Sequence, residues 1–276
     1  MTAIRSLAAP RRKMWWPALG AIGGYATPFL FALILLGLWQ AAVPLFHIPA
    51  YIIPAPLAIV QQFVRNWRVI RADTVVTGIE TLGGFALAIG IGVPLSMMVA
   101  FSPLLRRTFY PLMVTLQMVP TIVFAPIFIT WFGFGLLPKF LVVYLVCFFP
   151  ILLNGILGFT SLSTELERLG RSTGAGPIRS FIKLRLPAAL PQLFVGLKGA
   201  ATNATVGATI AEWIGGDAGL GYQVQIASGD LRMDIAFAII AMLAALGLLV
   251  FWLVVLAEQI VIPWHVSQRG RRTDDA

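Results

Sequence analysis

The side chains best suited to chemistry are few in this chain and far apart in its sequence. The two histidines, His47 and His265, stand near the ends of predicted spans and far apart in sequence, and neither has a companion metal ligand. The single cysteine, Cys147, lies in an apolar block, which excludes an internal disulfide. No Gly-x-x-x-x-Gly-Lys-Ser/Thr segment occurs, so ATP binding through a phosphate loop is not expected. A membrane-embedded enzyme would need paired histidines or a buried carboxylate pair, and we do not expect one.

One apolar stretch contains the remaining polar candidates. Lys198 and Glu212 stand 14 positions apart, which is about 21 Å along a helix, so they cannot pair within it. Either they serve an ion relay, or each lies near a helix end, with Lys198 reaching the inner interface by snorkelling. Asn203 is the best candidate for a solute path, because a buried amide in lipid needs a partner. The small residues around Asn203 and Thr205 suit either a pore lining or close helix packing.

Composition indicates the elements that must hold these residues. Hydrophobic residues make up 59% of the 276 residues, charged residues make up 11%, and the mean hydropathy is +0.88. A soluble domain is nearer half apolar and about one-quarter charged. The sequence therefore predicts an all-α polytopic membrane protein. Six stretches approach the ~20 apolar residues that a bilayer span needs. They are 27–45, 81–101, 109–131, 140–159, 190–213 and 235–256.

The basic residues predict the orientation of these spans. With the N-terminus inside, 14 of the 20 Lys and Arg residues fall in inside segments and 5 in outside segments, as the positive-inside rule requires. This clustering between apolar stretches argues against nucleic-acid binding, despite the net charge of +9. A signal peptide is the competing interpretation of the first stretch. Because this stretch is longer than a typical signal-peptide core, we predict an uncleaved first span. We predict a cytoplasmic N-terminus (1–26), a membrane domain (27–263) and a cytoplasmic tail (264–276).

Two connections carry helical patterns of their own. After the first span, apolar residues recur at spacings of three and four over 59–70, which predicts an amphipathic helix at the outer interface. The long cytoplasmic connection 160–189 predicts two short helices, the first over 165–172 and the second over 178–186. A glycine- and proline-containing break separates them, and Pro187 is expected to end the second. Two short helices at an angle would form a rigid knob on the cytoplasmic face.

The spacing within this connection resembles that of importer permeases of the ATP-binding-cassette class. In that family an EAA pattern is followed by a glycine, nine residues, an apolar residue, a spacer and Leu-Pro. Here Gly174 is followed by nine residues and then by Leu184, Arg185, Leu186 and Pro187. Four other segments resemble the nitrate, sulfonate and taurine permease group, namely 120–126, 131–135, 211–213 and 219–222.

One position departs from the family pattern. Arg168 stands where the EAA glutamate is expected, and Leu169 and Gly170 replace the two alanines, while two glutamates lie nearby but out of register. The resemblance implies an ATPase-coupling loop formed by Glu165, Glu167, Arg168, Gly170, Gly174, Ala175, Leu184, Leu186 and Pro187. The departure puts in question which side chain makes the usual polar contact with the ATPase.

The resemblance also implies a mechanism, partners and a substrate class. Two copies of the chain would form the pore, and a dimer of cytoplasmic ATPase subunits would hold ATP-Mg, so that this chain itself needs no cofactor. An external binding protein would deliver a nitrate-, sulfonate- or taurine-like anion, or a pyrimidine- or riboflavin-like vitamin precursor. The expected path residues are Met118, Pro120, Phe124, Asn203, Thr205 and Glu212, and the expected location is a bacterial inner membrane.

The competing function is an ion- or proton-coupled secondary transporter. Such proteins usually place ionisable residues near the middle of the membrane. The centres of the predicted spans contain no Asp, Glu or His, which favours a permease that takes its energy from a separate ATPase.

Overall fold

The protein is helical throughout the part that the structure describes. The computed structural model describes residues 20–172 and 176–264, and within these ranges it contains no strand. The predicted all-α class is therefore confirmed. Residues 1–19 and 265–276, which make up most of the predicted N-terminal stretch and C-terminal tail, lie outside the described residues, as do Gly174 and Ala175 of the predicted coupling loop.

Eleven α-helices follow one another in the described ranges. They are α1 (Gly20–Leu45), α2 (Pro56–Arg65), α3 (Trp67–Phe101), α4 (Pro103–Leu116), α5 (Phe124–Phe132), α6 (Leu136–Phe159), α7 (Thr164–Ser172), α8 (Pro177–Ser180), α9 (Leu186–Gly215), α10 (Leu220–Gly229) and α11 (Met233–Val261). A short 3₁₀ turn (Thr121–Val123) precedes α5, and a π-helical turn (Phe181–Arg185) joins α8 to α9.

Four of the described helices are long and apolar enough to cross a membrane. These are α1, α3, α6 and α11, and the bent pair formed by α4 and the segment Thr121–Phe132 brings the number to five if it counts as one span. The 30-residue α9 is not among them, because its small and polar residues lower its hydropathy. The predicted count of six spans stays a prediction.

Two predicted helices have different bounds in the structure. The predicted outer helix over 59–70 breaks at Asn66, and its second half is the beginning of the 35-residue α3, which therefore starts well before the predicted span. The predicted third span, 109–131, is two helices inclined by 83° and separated by a break before Pro120. A proline has no backbone N–H to continue the helix and clashes with the preceding turn, so the bend expected at Pro120 is present, but the single helix is not.

The centre of the bundle is formed by α3, α6 and α9. Glycines allow these helices to approach closely. A Cβ at Gly84 would lie 2.8 Å from the carbonyl oxygen of Phe140, and a Cβ at Gly196 would lie 2.7 Å from the carbonyl oxygen of Pro150. Small residues at helix contacts favour association in membranes, where the hydrophobic effect between helices is absent. The buried core around Cys147 and Ile151 belongs to this central group.

The connections place the helix ends in two layers. The helices α6 and α9 are joined by α7, α8 and the π-helical turn, so the end of α6 and the start of α9 lie at one end of the bundle. The starts of α3 and α6, the end of α9 and all of α10 lie at the opposite end, as the contacts described below require. We call the first the loop end and the second the far end.

Candidate functional site

The connection at the loop end forms a structured knob. Its first helix, α7, follows the prediction closely. The predicted second helix does not end at Pro187, because α8, the π-helical turn and α9 form one continuous helical path through that residue. A π-helical turn changes the hydrogen-bond spacing from i−4 to i−5, which accommodates the N–H that Pro187 lacks. The knob is therefore continuous with α9.

An aromatic cluster packs the knob against the bundle. The ring of Phe181 lies 5.7 Å from that of Phe101, the last residue of α3, and 6.3 Å from that of Phe159, the last residue of α6. The guanidinium of Arg185 lies 5.0 Å from the centre of the Phe101 ring, a cation–π distance. These contacts tie the start of α9 to the ends of α3 and α6.

The predicted coupling residues fall into two groups. Gly170 is buried, and a Cβ there would lie 2.6 Å from Cδ1 of Leu184, so the structure brings these two together across the knob. Glu165 and Arg168 are exposed on α7. Leu186 and Pro187 are half-buried at the start of α9. The side chain of Glu167, like Gly174 and Ala175, is outside what the structure describes.

One face of the knob is apolar and basic. Ile178 is 75% exposed and Ile182 is 56% exposed, and their spacing of four places them on one helical face. With Arg179 and Lys183 they line a groove of about 470 Å³. Exposed isoleucines bordered by cations are typical of a surface that another protein covers.

The long helix α9 has two kinds of face. Its alanines and glycines pack inward, where a Cβ at Gly207 would lie 3.0 Å from the Cα of Val143. Thr202 and Asn203 are exposed instead, and both side chains donate hydrogen bonds to the carbonyl of Gly199. The small residues thus serve helix packing on one face of α9, which is one of the two predicted alternatives. The opposite face presents polar groups near the middle of the helix.

A groove of about 710 Å³ runs between α9 and α11. Thr205 and Thr209 line it from α9, and Gly247 and Phe251 line it from α11. The hydroxyl of Thr209 donates to the carbonyl of Thr205, but the buried hydroxyl of Thr205 has no hydrogen-bond partner in the described ranges. A buried hydroxyl without a partner is unusual in folded proteins.

Three of the expected path residues lie at or beside the bend between α4 and α5. Met118 is 73% exposed, Pro120 is exposed, and Phe124 stacks on Phe128 with ring centres 6.2 Å apart. From this segment Ala125 packs against α6 and α9. Their part in the path stays a prediction.

Lys198 makes an ion pair that the sequence analysis did not predict. Its ammonium lies 3.0 Å from Oε2 and 3.1 Å from Oε1 of Glu258 on α11. Glu258 lies in the last turn of α11, so the expected snorkelling of Lys198 to the interface stays a prediction. The partner is 60 positions away in sequence, so only the packing of α9 against α11 brings the two together.

The far end contains a buried polar cluster. The carboxylate of Glu212 is fully buried and accepts a hydrogen bond from the Thr77 hydroxyl at 2.6 Å and from the Gly221 N–H at 2.5 Å. The Thr77 hydroxyl also accepts from the Leu220 N–H at 2.8 Å, and Asp73 accepts from the Gly219 N–H at 3.0 Å. The first amides of α10 are therefore held by three side chains from α3 and α9. We call this set the far-end cluster.

A buried ion pair adjoins this cluster. The ammonium of Lys139, at the start of α6, lies 2.7 Å from Oε1 of Glu80, and the two side chains are 7% and 0% exposed. The carboxyl groups of Glu80 and Glu212 are close enough to interact. The other oxygen of Glu80 is buried without a partner in the described part of the chain.

Sequence reasoning missed most of the far-end cluster. Asp73, Thr77 and Glu80 follow one another at spacings of four and three, which is one face of a helix, and this spacing was an available signal. Two segments that carried the family resemblance, 211–213 and 219–222, meet here. Gly219 has a φ of 112°, a conformation suited to glycine, and a Cβ at Gly221 would lie 2.7 Å from Oε2 of Glu212.

Comparison with known proteins places these features in a family context. A family model described as "Binding-protein-dependent transport system inner membrane component" matches residues 92–262. The chain is 33% identical over 242 residues to the formylaminopyrimidine transport permease protein ThiX of Halalkalibacterium halodurans, which covers 87% of this chain and 96% of that protein. It is 33% identical over 269 residues to the riboflavin transport system permease protein RibX of Chloroflexus aurantiacus, with 96% and 95% covered. It is 28% identical over 258 residues to the putative aliphatic sulfonates transport permease protein SsuC of Bacillus subtilis, with 90% of each covered.

Proposed function

Because the chain belongs to the binding-protein-dependent transport system inner membrane components, the permease subunits of ATP-binding-cassette importers, we propose that its knob is the docking surface for the ATPase subunits. The family implies an ATPase and a solute-binding protein as partners. This chain is then the non-catalytic transport subunit, and ATP-Mg is bound by the ATPase. The observation that carries the proposal is the pair of exposed isoleucines on the knob, Ile178 and Ile182.

The geometry of the knob suits force transmission. The exposed face belongs to α8 and the π-helical turn, which continue into α9, and the aromatic cluster around Phe181 joins it to α3 and α6. A displacement of the docked ATPase would therefore move the central helices directly. Arg179 and Lys183 add a positive border, which suits an acidic rim on the partner.

Replacing one exposed isoleucine by glutamate tests this docking surface. Burying the exposed three-quarters of Ile178 would contribute about 1–2 kcal/mol to association, which corresponds to about 5–30-fold in affinity. Ile178→Glu removes this contribution and adds the cost of desolvating a carboxylate. Co-purification of the tagged chain with its ATPase in mild detergent should show that the variant loses the ATPase.

The matched control is the same isoleucine-to-glutamate substitution at the far end of the bundle. Ile52 is 54% exposed in the connection between α1 and α2, so Ile52→Glu should retain the ATPase. Loss of the ATPase from both variants, or from neither, would contradict docking at the knob.

The same proposal sets the orientation of the chain. If the ATPase docks at the loop end, that end is cytoplasmic and the far end faces outward. Both termini are then cytoplasmic, in agreement with the basic residues at the loop end. In vesicles without the ATPase, a cysteine at Ile178 should react with an impermeant maleimide only when the vesicles are inside-out, and reaction in right-side-out vesicles alone would reverse the orientation.

We further propose that two copies of the chain enclose the path along α9. Thr202 and Asn203 are exposed near the middle of α9, where lipid cannot hydrogen-bond them. A second copy or a water-filled path would cover them. Differently tagged copies should purify together, and a cysteine at Asn203 should cross-link the two copies, whereas a monomer with full transport would refute the arrangement.

The groove beside this face favours an uncharged, flat solute over an anion. Thr205, Thr209, Trp213 and Phe251 offer hydroxyls and aromatic rings, and none of the described residues that line the groove is charged. Lys198 is already paired with Glu258. A sulfonate would lose its hydration there without gaining a counter-charge.

Relatives named for formylaminopyrimidine and riboflavin transport are each 33% identical, and a relative named for sulfonates is 28% identical. Both these identities and the uncharged groove favour a pyrimidine- or flavin-like heterocycle. Competition of labelled-heterocycle uptake by unlabelled heterocycle, taurine and an alkanesulfonate tests this preference. Efficient competition by the sulfonates alone would overturn it.

A further inference from the structure

We propose that Glu212 is a positioning residue that ties α10 to the far end of α9, so that movement of the knob is carried to the outer surface. This inference rests on the proposed docking at the knob. It assigns a role to the far-end cluster, which neither the knob nor the solute groove uses.

The first step is the continuity of α9. It spans 30 residues, or about 45 Å at 1.5 Å per residue, and begins directly after the π-helical turn of the knob. Glu212 lies in its last turn. A shift of the knob is thus carried to Glu212 by a single helix.

The second step is the weakness of the covalent link beyond α9. Between Glu212 and Leu220 the chain contains Gly215, Gly216 and Gly219, and glycines leave the backbone with many accessible conformations. Without another connection, α10 would not be obliged to follow α9. The hydrogen bond from the Gly221 N–H to Glu212 closes this nine-residue interval and provides that connection.

The third step is the way in which α3 shares the attachment. Thr77 donates to Glu212 and accepts from the Leu220 N–H, so one hydroxyl bridges the end of α9 and the start of α10. Asp73 holds the Gly219 N–H. Carboxylates at the free amides of a helix N-terminus also interact favourably with the helix dipole. Loss of Glu212 would leave α10 hydrogen-bonded to α3 and packed on Thr209 of α9, but would remove the hydrogen bonds through which Glu212 links α9 to α10 and α3.

The fourth step is the chemical nature of the cluster. Apolar residues of similar size would often hold helix ends together as well as, or better than, buried charges. Here Asp73, Glu80 and Glu212 are buried, the ammonium of Lys139 contacts Glu80, and one oxygen of Glu80 has no partner in the described ranges. Directional hydrogen bonds fix the relative position of α9 and α10, which apolar contacts would not do.

The surface that would move is accessible. Ile226 on α10 is 42% exposed, and Gln225 beside it is exposed. The opposite side of α10 packs through Leu220 and Val224 against Ile239 of α11. A cysteine in place of Ile226 therefore reports on α10 without entering the cluster, and the native Cys147 is fully buried and will not react.

The experiment measures how fast Ile226→Cys reacts with an impermeant maleimide in the assembled permease–ATPase complex in nanodiscs. Rates are compared between the nucleotide-free and the ADP-vanadate-trapped complex. Coupling between distant sites typically changes equilibria about fivefold or more, and we expect a rate ratio of that order with Glu212 present. With Glu212→Met, which keeps the side-chain size but removes both acceptor oxygens, the ratio should fall to near unity.

Two further variants make the result specific. Glu258→Met also removes a carboxylate that contacts α9, but through Lys198 and away from α10, and should keep the full ratio. Glu212→Gln retains an oxygen for the Gly221 N–H and should restore part of the ratio. If Glu212→Met fails to assemble, Thr77→Val takes its place, with a reduced ratio expected.

The outcomes separate this inference from the docking proposal. If no ATPase is retained by the Ile226→Cys protein, the docking proposal fails. If the ATPase is retained and the ratio is near unity with Glu212 present, α10 does not move with the cycle and the inference is overturned. An undiminished ratio in Glu212→Met, or in Thr77→Val where Glu212→Met does not assemble, overturns it as well.

Discussion

The buried pair of Lys139 and Glu80 gives the sharpest prediction about stability. Their charged atoms are 2.7 Å apart, and the side chains are 7% and 0% exposed. Lys139→Met removes the ammonium and leaves a carboxylate buried with no counter-charge. The pair connects the start of α6 to α3, so its loss weakens the far end of the bundle.

The expected size of the effect follows from this burial. Removing one member of a buried pair costs about 3–5 kcal/mol, because the remaining charge has lost its compensation. At about 2–4 °C per kcal/mol for chains of roughly this size, the melting temperature should fall by about 6–20 °C. The pair of Lys198 and Glu258 is more open, at 26% and 9% side-chain exposure, so Lys198→Met should cost less than Lys139→Met.

The assay is thermal unfolding of the purified chain in detergent, followed by the loss of the monodisperse peak in size-exclusion chromatography. Lys139→Met, Glu80→Gln and Lys198→Met are compared with the unsubstituted protein and with the double variant Lys139→Met/Glu80→Gln. Neutralising both partners removes the unpaired charge, so the double variant should recover at least half of the loss.

Two results would refute this reasoning. The first is a Lys139→Met protein that melts at the temperature of the unsubstituted protein, since the carboxylate of Glu80 would then not need the ammonium. The second is a double variant whose loss equals the sum of the two single losses, because groups in direct contact should not behave additively.

Three further predictions concern α9. Gly207→Val should destabilise the protein by about 1–3 kcal/mol through overpacking, because a Cβ at Gly207 would lie 3.0 Å from the backbone of Val143. A Cβ at Gly199 would meet nothing within 4 Å, so Gly199→Val is the control. Thermal unfolding compares the two variants, and equal effects would contradict the packing argument. Thr205→Val removes a buried hydroxyl without a partner in the described residues, so the stability of the protein should stay unchanged or rise by about 1 kcal/mol. The same variant should lower solute uptake, and unchanged uptake would remove Thr205 from the path. Asn203→Leu should preserve folding, because the amide is exposed and donates its hydrogen bond within its own helix, to the carbonyl of Gly199. It should reduce uptake in proteoliposomes, and full uptake would place the path elsewhere.

The membrane helices were predictable because their signal is local. A long uncharged run such as 235–256 needs no knowledge of its neighbours, and the structure has a single helix there, Met233–Val261. The same holds for the first helix of the knob. Breaks and continuations were less predictable, since the consequence of Pro120 or Pro187 depends on the hydrogen bonds available around it.

The candidate sites likewise divide into features that a local sequence signal predicts and features that depend on tertiary packing. The spacing from Gly174 to Pro187 resembled the permease family, and the comparison with known proteins confirmed that resemblance. The individual coupling residues stay predictions, and the exposed Ile178 and Ile182 were not among them. Exposure of an apolar residue depends on what packs over it, which the sequence of one helix does not state.

By itself, the sequence determined the all-α class, the predominance of membrane helices and the family, because apolar length, charge bias and motif spacing are properties of neighbouring residues. Only the tertiary structure decided the partners of the buried charges. Lys139 meets Glu80 across 59 positions, and Glu212 meets Thr77 across 135. A charged side chain in a low-dielectric interior is stable only with such a partner, and which residue provides it is settled by the packing of α3, α6 and α9 around their glycines.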